Sequence, residues 1–400
     1  MLRGTASPII RRVRPLSPDP AAVATEAVAL RRRLHERPEP SFAEVETARL
    51  VAERMRERGL PVRTGLGKTG VAALLDTGRE GPTVLLRADM DALPIAEGTG
   101  LPFASTNGWM HACGHDGHVA ALDAAADLLL LDPPGRGRVV FAFQPGEEAG
   151  GGAEAMIADG VLASPAPDRA FGVHLWSPLP FGTLGIADGP VMAAVDELRI
   201  EVAGTGGHAA LPHETRDPVV AAAHVVLALQ GIVSRRVSPL SPAVVSVTSV
   251  HGGEAFNVVP AAVVLTGTCR SFDKEVWEAL PSLVEETASR AAEAAGCRAT
   301  TRYLRHNRPV VNDAAFARRC REVGAALVGE SNVTADCRTM GGEDFAEFLE
   351  RVPGAFAFVG AGTPGAPLRA HHAPDFDLDE RAIPLAARLH AAVARDTLRG

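Results

Sequence analysis

Lysine is nearly missing from this chain: of 40 basic residues only Lys68 and Lys274 are lysine, and the rest are arginine. That skew reads as compositional bias and carries no functional signal. Positive charge is short overall, 40 Lys and Arg against 48 Asp and Glu, for a formal net charge of −8. Such a balance gives no footing for nucleic acid or an anionic membrane surface, and neither is expected as a partner. Cysteine is sparse too. Cys113, Cys269, Cys297, Cys320 and Cys337 are odd in number and follow no repeating framework, which argues against a disulfide scaffold and for a reducing, cytoplasmic compartment. The apolar run at residues 119–131 is broken by Asp123 and Asp127 and is too short to span a bilayer. The N-terminal stretch holds Arg3, Arg11, Arg12 and Arg14 but no apolar segment of signal type, and residues 1–20 are expected to form a flexible extension. No internal repeat or low-complexity tract is evident. The 400 residues, 46% apolar and 22% charged, are those of an ordinary globular protein of two or three domains.

Chemistry-bearing residues concentrate in one stretch, Met110-His111-Ala112-Cys113-Gly114-His115-Asp116-Gly117-His118. On a helix, Cys113 and His115 would point about 200° apart. On an extended or turned loop, Gly114 lets both side chains converge. A thiolate and an imidazole suit a borderline or soft divalent ion. Taken alone, the stretch also reads as a His-rich turn around a buried, apolar Cys.

The flanking pattern supplies a frame. Residues 20–59 repeat apolar positions at helical spacing. Short apolar strands follow at 70–75 and 83–89, the second running into Asp89-Met90-Asp91-Ala92-Leu93-Pro94. The pattern predicts a helix over 117–131, a strand over 138–144 that enters Pro145-Gly146-Glu147-Glu148, a helix over 154–159 and a strand over 170–176 carrying His174. Continuous apolar strands alternating with helices indicate an α/β sheet covered on both faces. Such sheets bind ligands at the C-terminal ends of their strands. From about residue 191 the order becomes strand 196–203, helix 217–236, strands 243–250 and 261–270, helix 272–295 and strand 298–305. That is the β-α-β-β-α-β order of a ferredoxin-like α+β domain. The helical pattern returns over 313–329 and from 340, followed by a strand over 355–360, His371-His372-Ala373-Pro374-Asp375-Phe376 and a helix over 383–398. The expected organisation is thus an α/β sandwich with a mixed sheet, made of residues 21–190 and 307–400, interrupted by an inserted domain at 191–306.

Four strand exits carry metal-type ligands: Cys113 with His115, Glu147 with Glu148, His174, and His372. Each alone has a plainer explanation; His174 can be a satisfied strand-end histidine, and Glu147-Glu148 an acidic helix start. Together they supply five ligands and one spare carboxylate, enough for two ions. Adjacent glutamates on an extended turn face opposite ways, so one can bind metal while the other faces water. Metal lowers the pKa of bound water to roughly 7, and a neighbouring carboxylate can take its proton and pass it to a leaving amine. This is equipment for hydrolysing an amide. A thiolate ligand favours Zn, while Mn, Co and Ni stay open.

The chain resembles the amidohydrolase branch of the M20 metallopeptidases from about residue 25 to 398. The resemblance rests on Arg87-Ala88-Asp89-Met90-Asp91-Ala92-Leu93-Pro94-Ile95, His111-Ala112-Cys113-Gly114-His115-Asp116-Gly117-His118, Gln144-Pro145-Gly146-Glu147-Glu148, Gly207-His208-Ala209-Ala210-Leu211-Pro212-His213, Phe256-Asn257-Val258-Val259-Pro260 and Gly342-Glu343-Asp344-Phe345. It implies two divalent metal ions on Cys113, His115, Glu148, His174 and His372, with Glu147 as general base. It implies that His208 stabilises the oxyanion, that Asn257 and Arg270 hold the substrate's polar or carboxylate end, and that Asp89 orients a ligand histidine. It implies that the inserted domain is a lid that also dimerises. His371 is a rival to His372, which is preferred because His-x-Pro-x-Phe fits the family spacing. His111 and His118 are expected behind the ligands and His213 at the rim. The expected activity is hydrolysis of N-acyl amino acids; a dipeptidase or N-carbamoyl-amino-acid hydrolase on the same scaffold, or a non-catalytic metal-binding dimer, are the alternatives.

Overall fold

The computed structural model describes residues 13–399. The chain divides into two compact units: residues up to Asp188 with Asn312–Cys337 and Phe348 onward, and Gly189–Val311 with Arg338–Glu347.

The first unit is built on an eight-stranded mixed sheet. From one edge it runs Val62–Leu66, Gly70–Asp76, Arg138–Gln144, Thr83–Asp89, Arg169–Pro180, Gly354–Gly362, Leu184–Gly185 and Val333–Thr334. The middle four strands are mutually parallel, and their C-terminal ends therefore share one edge. Val84, Leu86, Phe141, Phe143, Phe171, Val173, Phe356 and Phe358 are buried, as continuous apolar strands require when helices cover both faces. The helix His115–Leu131 is central, with 14 of its 17 residues buried. Gly117 lets it seat directly on the neighbouring strand, since a Cβ there would come within 2.5 Å of Leu175 Cδ1.

Two expectations shift. The helical stretch at 20–59 is two helices, Pro20–His35 and Val45–Glu57; Pro38 and Pro40 between them lack an N–H and push the preceding residue out of helical geometry. Of the extension expected at 1–20, residues 1–12 lie outside the described residues. Beyond them, the Arg14 N–H donates to Arg58 O at 3.0 Å and the Leu16 N–H to Asp127 Oδ1 at 2.8 Å.

The second unit holds a four-stranded antiparallel sheet in the order Ala243–His251, Ala262–Ser271, Ala194–Ala203, Arg298–Asn307. Burial alternates along Ala194–Ala203, so one face is packed and the other is solvated. The packed face, with Leu198, Ile200, Val202 and Leu265, meets the helices Pro218–Arg235 and Lys274–Ala294 through Val225, Leu229, Leu280 and Val284. Pro218–Arg235 is long and apolar enough to span a membrane by composition; Ala221, Ala222, Val225, Leu229 and Ile232 pack one of its faces against this sheet, while Val219, Val220 and Leu227 are exposed on it. Arg338–Glu347 groups with this unit, although the sequence placed it with the first. Ala193 donates to Gly341 O at 2.9 Å and Thr339 to Val191 O at 3.0 Å, and Gly342 leaves room for Val195, whose Cγ2 would lie 2.1 Å from an added Cβ.

Candidate metal centre

The parallel strands of the first unit deliver their exits to one pocket. Gly114 takes φ 88 immediately before the helix that His115 opens, a conformation cheap for glycine. That single residue turns the chain so that Cys113 and His115 face the same space. Cys113 Sγ lies 3.4 Å from His174 Nε2. His115 Nε2 lies 3.8 Å from Glu148 Oε1, and His372 Nε2 lies 3.5 Å from the same oxygen. Donor atoms of Cys113, Glu148 and His372 fall within 4.8 Å of one another, as do those of His115, Glu147 and Glu148. The structure thus brings all five expected ligands and Glu147 together.

What stands behind each ligand fixes its orientation. His115 Nδ1 donates to the Asp91 carbonyl at 3.0 Å and lies 3.2 Å from Asp91 Oδ1, which turns Nε2 towards the pocket. Asp91 Oδ2 accepts from the Glu148 N–H at 2.9 Å and from Ser41 Oγ at 2.6 Å. One carboxylate therefore supports two ligands. His174 Nδ1 donates to Leu175 O at 2.9 Å, again leaving Nε2 unprotonated towards Cys113. His372 sits at φ 64, a strained value for a residue with a side chain, and its N–H donates to Ala112 O at 2.9 Å. Its side chain is 53% exposed, against 1% for His115 and 10% for Glu148, so the pocket opens to solvent on the His372 side.

Asp89 holds a different histidine from the one the carboxylate of Asp91 holds. Its Oδ1 is 2.6 Å from His118 Nδ1, while Oδ2 accepts from Arg87 at 2.8 Å and lies 3.5 Å from His115 Nε2. The other nitrogen of His118 accepts from the Leu175 N–H at 2.9 Å, so both ring nitrogens are engaged and His118 has none left for a ligand role. His371 stacks on Trp176, ring centroids 4.6 Å apart, and its Nε2 accepts from the Ser177 N–H at 3.2 Å; its Nδ1 has no hydrogen-bond partner among the described residues. His111 is buried with neither nitrogen hydrogen-bonded among the described residues.

The electrostatics of the pocket call for positive charge. Burial would lower the His115 pKa, yet Asp89, Asp91 and Cys113 hold it well above the usual imidazole value. Cys113 and the Glu148 carboxylate, 3.5 Å from its ring nitrogen, push His372 up to about 10. Burial, with His118 and His371 nearby, holds His174 well below the ordinary value, and burial pushes His371 down to about 3. Against its burial, Asp89 is held well below the carboxylate range by Arg87 and the two histidines. Protons are drawn to the histidines that face Glu148, where cations could replace them. His115 Nε2 and Glu148 Oε1 are buried and make no hydrogen bond among the described residues. Buried polar atoms left without hydrogen bonds are costly, and a thiol, imidazoles and carboxylates so arranged fit two divalent metal ions.

The remaining expected residues lie in the second unit. His208, exposed, belongs to a two-residue strand paired with Val258–Val259, and its Nδ1 accepts from the Ala210 N–H at 3.1 Å. Asn257 is exposed in the turn just before Val258–Val259, its carbonyl accepting from the Ala209 N–H at 3.1 Å. Arg270 is half-buried; its guanidinium donates to Thr268 Oγ1 and to the Cys269 carbonyl. His213 is exposed. The sequence reading gave no role to Asp91 or Ser41. Asp91 had a signal: two residues beyond Asp89 on extended chain, it points to the same side.

A family model described as Peptidase family M20/M25/M40 matches residues 85–396. An N-acetyl-L-cysteine deacetylase of Bacillus subtilis (strain 168) is 42% identical over 360 residues, 90% of this chain and 85% of that protein. The IAA-amino acid hydrolase ILR1-like 4 of Arabidopsis thaliana is 38% identical over 374 residues, 92% of this chain and 84% of its own length. Among solved structures, Bacillus subtilis YXEP, a dinuclear metal binding peptidase from the M20 family, matches with a TM-score of 0.82 at 36% identity, covering 95% of this chain and 99% of that one.

Proposed function

The chain belongs to peptidase family M20/M25/M40, and we propose that it is a metal-dependent amidohydrolase cleaving N-acyl amino acids to a carboxylic acid and an amino acid. The observation that carries this reading is the convergence on one buried carboxylate oxygen: Glu148 Oε1 lies 3.8 Å from His115 Nε2 and 3.5 Å from His372 Nε2, with Cys113 and Glu147 in the same donor groups. Cys113, His115, Glu148, His174 and His372 would hold two divalent ions. The thiolate favours Zn, with Mn next. Bound there, the ions would supply Lewis acidity, acidifying water and polarising an amide carbonyl.

The chain's own residues do the rest. Glu147 takes a proton from the water whose oxygen attacks the acyl carbon. It then delivers that proton to the amino nitrogen as the C–N bond breaks. His208 is assigned to the developing oxyanion, and Asn257 and Arg270 to the substrate's polar or carboxylate end. Glu147→Gln keeps the shape and removes the base, so turnover of N-acetyl and N-benzoyl amino acids should fall by at least about 10³-fold while metal content stays at wild-type level. Retained turnover would refute the assignment. Running dipeptides and N-carbamoyl amino acids in the same assay distinguishes the related hydrolases.

The second unit is assigned the role of a lid and a homodimer contact. The strand Ala243–His251 lies at the sheet's edge, and Val219, Val220 and Leu227 of the Pro218–Arg235 helix are exposed beside it in sequence. An unpaired edge and an apolar helix face are what a second copy can cover. Light scattering at micromolar concentration should give twice the chain mass; a monomer would overturn this part. A cytoplasmic location is supported by five free cysteines.

A further inference from the structure

The turn that presents Glu147 and Glu148 is gripped from behind by another carboxylate. Glu44 is 0% exposed. It precedes the helix Val45–Glu57 at the position where a side chain usually caps the helix, yet it makes no capping bond. Glu39 does that instead, accepting from the N–H groups of Glu46 at 3.0 Å and Thr47 at 2.8 Å. Glu44 folds back. Its Oε1 accepts from the Gly146 N–H at 2.8 Å and the Phe42 N–H at 3.0 Å, and its Oε2 accepts from the Thr69 hydroxyl. All three donors are neutral. Taking a carboxylate out of water against neutral partners is unfavourable, and burial accordingly pushes the pKa of Glu44 up. Helix capping does not explain its retention there, because Glu39 already serves that end.

Its neighbours show what it holds. Gly146 sits at φ 64, and a Cβ there would come within 2.6 Å of the Phe42 ring. Phe42 itself sits at φ 62. The same short segment reaches the other supporting group: Ser41 Oγ donates to Asp91, and the Ala92 N–H donates to Glu39 O at 2.9 Å. Residues 39–44 thus bridge the strand exit at Asp91 and the turn at Gly146.

We propose that Glu44 is a positioning residue: by fixing the Gly146 peptide it sets the turn that places the Glu147 carboxylate for proton transfer and the Glu148 carboxylate for metal. The proposal rests on the roles given to Glu147 and Glu148 above. Reach, not charge, is then the quantity that matters. Glu44→Gln keeps the length and an acceptor for the two N–H groups. Glu44→Asp keeps the charge and falls short by one methylene. Two readouts on the full chain are needed: kcat and KM on N-acetyl amino acids, and the affinity of chelator-stripped protein for Zn²⁺ alone by calorimetry. Glu44→Asp should lose about tenfold in both kcat and Zn²⁺ affinity, with KM within about twofold. Glu44→Gln should stay within about twofold of wild type on every measure. Gly146→Ala forces the same turn against Phe42 without touching Glu44, and should reproduce the losses if Glu44→Asp fails to fold. The proposal is overturned if Glu44→Asp or Gly146→Ala matches wild type in both readouts, or if Glu44→Gln falls as far as Glu44→Asp. A wild-type protein that binds Zn²⁺ and hydrolyses none of the substrates sinks the amidohydrolase reading instead, and the order of Zn²⁺ affinities then judges Glu44 by itself.

Discussion

The two units hold their candidate residues in opposite ways. In the first, every ligand histidine is fixed from behind: His115 by Asp91, His174 by Leu175 O, and His372 through its own backbone to Ala112. In the second, His208 stands exposed on a two-residue ladder, Asn257 stands exposed in the turn beside it, and Arg270 is held chiefly by its own strand. The difference teaches where the fold pays in advance for geometry. Groups placed to meet cations are oriented before anything binds, whether buried like His115 or exposed like His372. His208 and Asn257 stay solvated, so ordering them draws on substrate binding energy.

That contrast can be broken by experiment. Removing the thiol that faces both His174 and the Glu148–His372 pair, Cys113→Ala, should empty the pocket of metal and lower turnover by more than about 10³-fold; metal analysis showing full occupancy with intact activity would contradict it. Next in size is stability. The Asp123 carboxylate is bound by Arg54 and Arg58 through five hydrogen bonds of 2.8–3.1 Å. Asp123→Asn should cost about 3 kcal/mol at pH 7, read by urea unfolding. Burial would raise the Asp123 pKa, but the two arginines hold it below the ordinary range. Its contribution is therefore present above the unfolded value and lost as pH falls through the folded one, so the penalty should shrink in acid.

His208→Ala should lower kcat by about 10²-fold with metal content unchanged. Loss of metal in that variant would erase the distinction between the units. The smallest effect is expected at Asp196, buried in the second unit, where Trp277 Nε1 donates at 3.2 Å and Tyr303 Oη at 2.8 Å. Burial raises its pKa despite these bonds and the nearby Arg305 and His306. Its contribution is present below the unfolded value and lost as pH rises through the folded one, opposite in sign to Asp123. Asp196→Asn should stay within about 1 kcal/mol of wild type, gaining relative to it from pH 4 to 8. Parallel pH trends for the two variants would show that this comparison is misdrawn.

Much of the architecture was legible because it is periodic. Apolar runs at residues 83–89 and 138–144 marked buried strands, and the Ala- and Leu-rich stretch after Gly117 marked the central helix. The ligands were legible because rare residue types recur at strand exits. The supports were not. Glu44 and Gly146 are 102 residues apart, and Ser41 and Asp91 are 50 apart; no local pattern signals such a pair. Glu44 carried no signal of its own within the helical pattern at 20–59.

By itself the sequence determined the layers, the parallel order of chemistry-bearing strand ends and the donor types available for metal, since these follow from side-chain period and composition. Only the tertiary structure decided that Asp91 rather than Asp89 backs His115, that His118 has no nitrogen left for a ligand, and that Glu44 grips the turn at Gly146. Those outcomes depend on which lone pairs meet across strands distant in the chain, and a hydrogen bond's direction is set by three-dimensional approach, not by spacing along the backbone.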